Sequence, residues 1–361
     1  PTWFYLKDTN GGIGSLARSD YVNYCHQNNI EVWALVSNFG AKDQGLESPD
    51  TTQVLTYSSR RESLINNLIS AAIQYKLDGI NVDFESLDPS IGDSYIQFIR
   101  ELSLKCANNG IVLSVDNYPP TAYTAFYNRS EQAVFADYVI LMGYDEHYAG
   151  SEEAGSVASI GFVNQGVADT LQSVPADQLI LGMPFYTRVW SETPVSDDGA
   201  AVSTTEDTSD SDTLYELDCY SAGMKEVQNL ISTNGAVPVW SDTDGQYYVE
   251  YINGGVTYKI WVEDQKSIGE KLDVMKDNHL AGASFWKLGY EKNIVVLTRP
   301  AGYRKKKSSI GPAKWIYRKY PAFVKAMEER YKVYNETMDQ IEEMEKSGEI
   351  FVIRPSRDPQ I

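Results

Sequence analysis

Asp78-Gly79-Ile80-Asn81-Val82-Asp83-Phe84-Glu85 alternates polar and apolar side chains through a β-prone run, and its reading decides the fold. Successive side chains of a strand face opposite sides, so Asn81, Asp83 and Glu85 share one face while Ile80, Val82 and Phe84 share the other. In a parallel barrel the polar three point inward, with Glu85 at the carboxyl end, where such barrels carry their active sites. Two carboxyl groups this close do not both ionise cheaply, so one pKa should be raised. A carboxylic acid held protonated near neutral pH is the kind of general acid that protonating a glycosidic oxygen requires. The same alternation also describes a solvated antiparallel strand whose acids cap a helix, and the segment alone leaves both readings open.

Working outward, short β-rich runs alternate with amphipathic helical stretches. Thr2–Leu6 reads as a strand before a helix near Tyr21 to Asn28, and Ile30 to Ser37 as a strand before a helix from about Ser59 to Tyr75. Gly79 to Phe84 precedes a long helix from Ser94 to Asn108. Ile111 to Val115, Tyr138 to Met142, Leu179 to Phe185 and Ala281 to Phe285 complete seven strands. Strands separated by helices pair in parallel through right-handed crossovers. The expected fold is therefore α/β: a (β/α)8 TIM barrel lacking its first strand, the absent one expected ahead of Pro1 in a chain that reads as cut off at its beginning. A long insertion, roughly 189–266, precedes the last strand. Its first part is polar and acidic, and its second alternates aromatic and polar residues around Asn253-Gly254-Gly255, as in a small antiparallel sheet.

The 361 residues are 42% hydrophobic, enough for a sizeable core, and no run is long and apolar enough for a membrane span. The net charge of −19 argues against nucleic acid as a partner and against an anionic membrane. Cys25, Cys106 and Cys219 are too few and scattered for a disulfide framework or a zinc site. The charge is uneven: from Lys292 onward there are 15 Lys and Arg against 9 Asp and Glu, leaving 16 against 41 in the rest. Such a swing suggests a junction between two units. One would be a barrel over 1–291, and the other a tail over 292–361 with a helix from Tyr320 to Met344 and a basic run from Arg304 to Lys307.

The pattern D-x-x-[DN]-x-D-x-E of residues 78–85 resembles the signature of glycoside hydrolase family 18, the chitinase-like family. Three further segments follow in that family's order. Leu141-Met142-Gly143-Tyr144-Asp145 is similar to its M-x-Y-D strand end. Gly182-Met183-Pro184-Phe185-Tyr186-Thr187-Arg188 is similar to G-x-P-F-Y-G-R, with Thr187 in place of glycine. Ala281-Gly282-Ala283-Ser284-Phe285-Trp286 resembles the last strand. Within the family, the PTWF start, DGINVDFE and the segment Trp261 to Ile268 resemble the spore-cortex and peptidoglycan N-acetylglucosaminidases.

The resemblance implies hydrolysis of a polymer containing N-acetylglucosamine, by a substrate-assisted retaining mechanism without metal or organic cofactor. It implies that Glu85 is the proton donor, that Asp83 orients the substrate acetamide, and that Tyr144 donates a hydrogen bond to the acetamide oxygen. Asp145 would hold neighbouring hydroxyls, and Trp286 would floor the sugar site. Asp78, Asn81, Met142, Tyr186 and Arg188 complete the expected substrate-binding set; Asn81 stands where many relatives carry Asp, which should shift the pH optimum. Glu263 or Asp264 could touch substrate but fits the inserted sheet better, and His26, His147 and His279 read as structural. The chain is expected to act as a monomer, associated with spore or cell wall. From Ile294 the sequence resembles the C-terminal region of bacterial patatin-like phospholipases, without the G-x-S-x-G elbow of a lipase. Two alternatives follow: a non-catalytic carbohydrate-binding relative, and a lipid-associated protein acting through its basic tail.

Overall fold

The structure, a computed structural model, describes residues 1–40, 47–195 and 214–292. The barrel begins with strand β1 (Thr2–Leu6), hairpin strand β2 (Ile13–Ser15), helix α1 (Ser19–Gln27) and strand β3 (Trp33–Ser37). Helices α2 (Thr51–Thr56) and α3 (Ser58–Tyr75) lead to β4 (Gly79–Asp83), and α4 (Gly92–Asn108) to β5 (Val112–Asn117). After α5 (Arg129–Phe135) come β6 (Tyr138–Met142), α6 (Ile160–Leu171) and β7 (Leu179–Pro184). The insertion supplies β8 (Tyr186–Pro194), β9 (Tyr215–Gly223), α7 (Met224–Asn234), β10 (Val239–Ser241), β11 (Gln246–Asn253) and β12 (Val256–Val262). Helix α8 (Gln265–Asp277) returns the chain to β13 (Gly282–Trp286).

The barrel sheet runs β13-β7-β6-β5-β4-β3-β1-β2, with seven parallel strands and the antiparallel β2 at one end. All seven expected strands are present, and among the described residues the sheet is the TIM-barrel type with seven parallel strands. At the sheet's end every residue of β13 from Gly282 to Trp286 is partly exposed, whereas Gly79 to Val82 of central β4 are buried.

Why β4 sits where it does follows from its two faces. Ile80, Val82 and Phe84 are buried, and the Phe84 ring stacks on Phe98 of α4 at 5.4 Å between centroids. Each such apolar side chain contributes about 1.5–3 kcal/mol on burial. Gly79 starts the strand because a Cβ there would lie 2.7 Å from the Trp33 ring. On the other side α3 presents Leu64, Ile65, Leu68 and Ala72, spaced for one helical face, and it ends where Lys76 turns left-handed with a φ of 56°.

The insertion is more built than the sequence suggests. It forms a five-stranded antiparallel sheet in the order β10-β11-β12-β8-β9, beginning at Tyr186 rather than 189, with α7 packed on it. The strand expected from Ile30 begins only at Trp33, and α2 was not anticipated. The acidic stretch of the insertion and the expected helix from Tyr320 to Met344 lie outside the described residues. Among the described residues no helix is long and apolar enough to cross a membrane.

Candidate active site

The parallel register sets the acids of neighbouring strands side by side. Asn81 opposes Ser114 and Val82 opposes Val115, so Asp83 and Asp116 follow next on β4 and β5. Asn81 is buried and its amide donates to Ser114 Oγ at 3.0 Å and to Asp116 Oδ1 at 2.9 Å. Two residues beyond β4's Asp83 comes Glu85, outside the last ladder pair and partly exposed at the carboxyl end of the sheet.

Two clamps hold Glu85. Its backbone N–H donates to Asn38 Oδ1 at 2.8 Å while Asn38 Nδ2 donates to its carbonyl at 2.9 Å. Its carboxylate accepts a 2.6 Å hydrogen bond from the Tyr118 hydroxyl. Tyr118 is itself fixed from behind, because Arg129 donates to its carbonyl at 2.8 Å. Tyr127 donates to the Phe84 carbonyl at 3.1 Å, bracing the turn just before the acid.

The electrostatics of the cluster come mainly from dryness. Burial, then the charges of Asp116 and Glu85 and a hydrogen bond with Glu85, push the Asp83 carboxyl up to about 9. Burial likewise pushes Asp116 up to about 7; its hydrogen bond from Asn81 opposes the rise and the Glu85 charge adds to it. Asp83 Oδ1 is buried with no hydrogen-bond partner among the described residues, an unusual state for an acid in a polar cluster. Tyr144 is held well above the usual phenol range, by burial first and then by Asp116, Tyr186, Asp83 and Glu85, so it stays a hydrogen-bond donor.

Most of the expected residues gather at this end of the sheet. Buried Met142 closes β6, and Tyr144 follows with its ring 6.2 Å from that of Tyr186. Asp145 is left-handed with a φ of 59°, and accepts from the Tyr186 hydroxyl at 2.8 Å and from Arg188 Nη2 at 3.2 Å. The inserted sheet therefore delivers two side chains to the barrel rim through β8. Trp286 is the last residue of β13, partly exposed, and its carbonyl accepts from Phe185 at 2.7 Å.

Asp78 is not with them. It precedes β4 at the amino end, roughly 20 Å of strand from Glu85. Its carboxylate accepts from the Val32 amide at 2.7 Å and meets His26 Nε2 at 2.9 Å. It fastens the β3–β4 entry, so its expected place in the substrate site is withdrawn. Glu263 also has a structural position: it forms an ion pair with Lys271 at 2.8 Å, both side chains 1% exposed, and accepts from Gln246 and Ser267. Asp264 caps α8, and His147 meets the Ser156 carbonyl through its ring nitrogen.

Asn38, Asp116 and Tyr118 were not anticipated as members of the cluster. The signal for Asp116 was present, since Leu113-Ser114-Val115-Asp116 alternates as β4 does. Nothing local marks Asn38 or Tyr118.

A family model for "Glycosyl hydrolases family 18" matches residues 23–291, and one for a domain of unknown function (DUF6363) matches 320–361. The second gives the expected patatin-like tail no support. The chain is 24% identical over 295 residues to the "Uncharacterized glycosylase YvbX" of Bacillus subtilis, covering 80% of this chain and 79% of that protein. It is 26% identical over 247 residues to the "Cortical fragment-lytic enzyme" of the same organism, covering 66% of this chain and only 53% of that relative. Among solved structures, the spore cortex-lytic enzyme SleL of Bacillus cereus superposes with a TM-score of 0.66 at 20% identity. That match covers 80% of this chain and 63% of the other, and at this identity it establishes the fold alone.

Proposed function

We propose that this chain, which belongs to glycosyl hydrolases family 18 and is a glycoside hydrolase, cleaves β-1,4 bonds of a polymer containing N-acetylglucosamine with Glu85 as its acid. The observation that carries this reading is the position of Glu85: a clamped carboxyl at the carboxyl end of β4, bonded to Tyr118 and two residues from Asp83 on the same face. Peptidoglycan of the spore-cortex type is the first substrate to try, since a cortical fragment-lytic enzyme is among the relatives; chitin is the second, since a chitinase is also among them.

In this mechanism Glu85 protonates the leaving oxygen while the substrate's own acetamide oxygen attacks the anomeric carbon, giving an oxazolinium. Asp83 orients the acetamide N–H and offsets the positive charge. Tyr144, uncharged at any physiological pH, donates to the acetamide oxygen. Asp145 is oriented by Arg188 and Tyr186, ready to accept from sugar hydroxyls. Met142 and Trp286 supply apolar surface for the ring. Glu85, now a carboxylate, then takes a proton from the water that opens the oxazolinium, which restores the acid and retains the anomeric configuration.

The test is hydrolysis of cortex fragments and chitin oligomers by the wild type and by Glu85→Gln. General acid catalysis is worth roughly 10²–10⁴-fold, and a drop of that order in a folded variant is expected. Equal rates in the two proteins, or no cleavage by a folded wild type, would overturn the reading.

A further inference from the structure

The mechanism above leaves one buried acid at the site without a task. Asp116 is only 8% exposed and lies beside Asp83 across the β4–β5 ladder, with one oxygen fixed by Asn81. Asp83 Oδ1, also buried, has no hydrogen-bond partner among the described residues. A buried carboxyl oxygen without a donor tolerates a neutral acid but not an anion. Asp83 must become an anion if it is to stabilise the positive oxazolinium, so some group has to supply a donor at that moment.

Resting on that reading of the site, we propose that Asp116 is a positioning residue for it, a protonated carboxyl that donates a hydrogen bond to Asp83 when Asp83 ionises. The proton balance is simple. The Asp83 proton passes to Glu85, which hands it to the leaving oxygen; Asp83 is left as a carboxylate, and the Asp116 O–H, still on Asp116, turns to Asp83 Oδ1. Asn81 favours this arrangement by occupying Oδ1 of Asp116 as a donor, leaving Oδ2 to carry the proton. An acid at position 81 would compete for that proton; an amide does not.

The charged and titratable groups around Asp116 are few. From β4 and its extension come Asp83 and Glu85, from the β6 end Tyr144, and from α4 Tyr95, all of which interact with it electrostatically. None is a cation, so nothing in this set favours the charged form of Asp116. Its raised pKa of about 7 agrees with a carboxyl that holds its proton through the acidic and neutral range.

Asparagine at 116 is the decisive variant, because its amide can accept from Asn81 with one atom and donate to Asp83 with the other. Asp116→Asn is expected to keep kcat within about 3-fold of wild type at pH 5 and to hold it above pH 7, where the wild type falls about 10-fold per unit as Asp116 ionises. Asp116→Val, which has neither atom, should lose kcat roughly 10²-fold at every pH with KM little changed. Infrared difference spectra supply a second readout: a protonated carboxyl C=O band that titrates near pH 7 in the wild type and is missing in Asp116→Asn.

Superimposable pH profiles for wild type and Asp116→Asn, or an infrared band unaffected by the substitution, would overturn the proposal while Glu85→Gln still tested the glycosidase reading. A wild type that cleaves nothing would sink the reading itself, and this role with it.

Discussion

The Tyr118 hydroxyl donates to Glu85 Oε2 at 2.6 Å, so the acid is held by a residue that follows the neighbouring strand rather than its own. Tyr118 lies one residue beyond β5, and Arg129 grips its backbone from α5. The carboxyl thus has one oxygen committed to a phenol, and it also shares a hydrogen bond with Asp83. Tyr118→Phe keeps the ring packing and removes the phenol's bond. A hydrogen bond to a charged group is worth about 1.5–3 kcal/mol, which converts to roughly 10–100-fold in rate if it orients the acid in the transition state. The expected result is a loss of that size in kcat with KM within about 2-fold and an unchanged melting temperature. Steady-state kinetics on a chitin oligomer, with a thermal melt alongside, decides it.

The raised acids make stability depend on pH with a definite sign. Asp83 and Asp116 bind protons more tightly folded than unfolded, with folded pKa values of about 9 and about 7 against an ordinary 3.8. The folded state therefore holds more protons than the unfolded one across that window. Their contribution is fully present below the unfolded pKa, declines as pH rises, and is lost through about 7 for Asp116 and about 9 for Asp83. Both acids add to the same fall over overlapping ranges, so the decline should be one broad slope rather than two steps. Urea midpoints should fall between pH 5 and pH 9, and Asp83→Asn should flatten that fall while lowering kcat at least about 10²-fold. A midpoint that rises over the same range would contradict the protonated state of the cluster.

The buried pair Glu263–Lys271 supplies a stability prediction separable from catalysis. Both side chains are 1% exposed, and Glu263 also accepts from Gln246 and Ser267. Removing one partner of such a pair typically costs 3–5 kcal/mol, because the other is left charged and dry. Lys271→Met should lower the chemical-denaturation stability by about that amount. Where the variant remains folded, KM for the oligomer should be unchanged. A raised KM in the folded variant would instead mean that Glu263 touches sugar.

The polar face of β4 and its extension was readable because parity along a strand is strict: Asn81, Asp83 and Glu85 fall on one face whatever surrounds them. The same rule, applied more firmly, would have excluded Asp78. It is out of phase with the other three and precedes the first ladder pair, so its carboxylate serves the Val32 amide and His26 instead. Asp116 was missed because β5 was ended at Val115, whereas it runs to Asn117. Asn38 and Tyr118 were beyond reach for another reason. Their partners lie 47 and 33 positions away, and only the parallel register brings a residue after β3 and a residue after β5 to the same acid. Helix α7 was hidden in a stretch judged by its alternating aromatics, which belong to the sheet beside it.

The network around Glu263 joins three separate stretches of chain: Ser156 from the segment after β6 meets Gln246 of β11, which meets Glu263, which meets Lys271 of α8. Sliding the insertion by even one residue would strand a charge where no water reaches it. The insertion is thus keyed to the barrel in a single setting, as a dowel is to its hole. Tyr186 and Arg188 then reach Asp145 with their placement fixed at folding, so under the proposed function that side of the site is assembled before any sugar arrives.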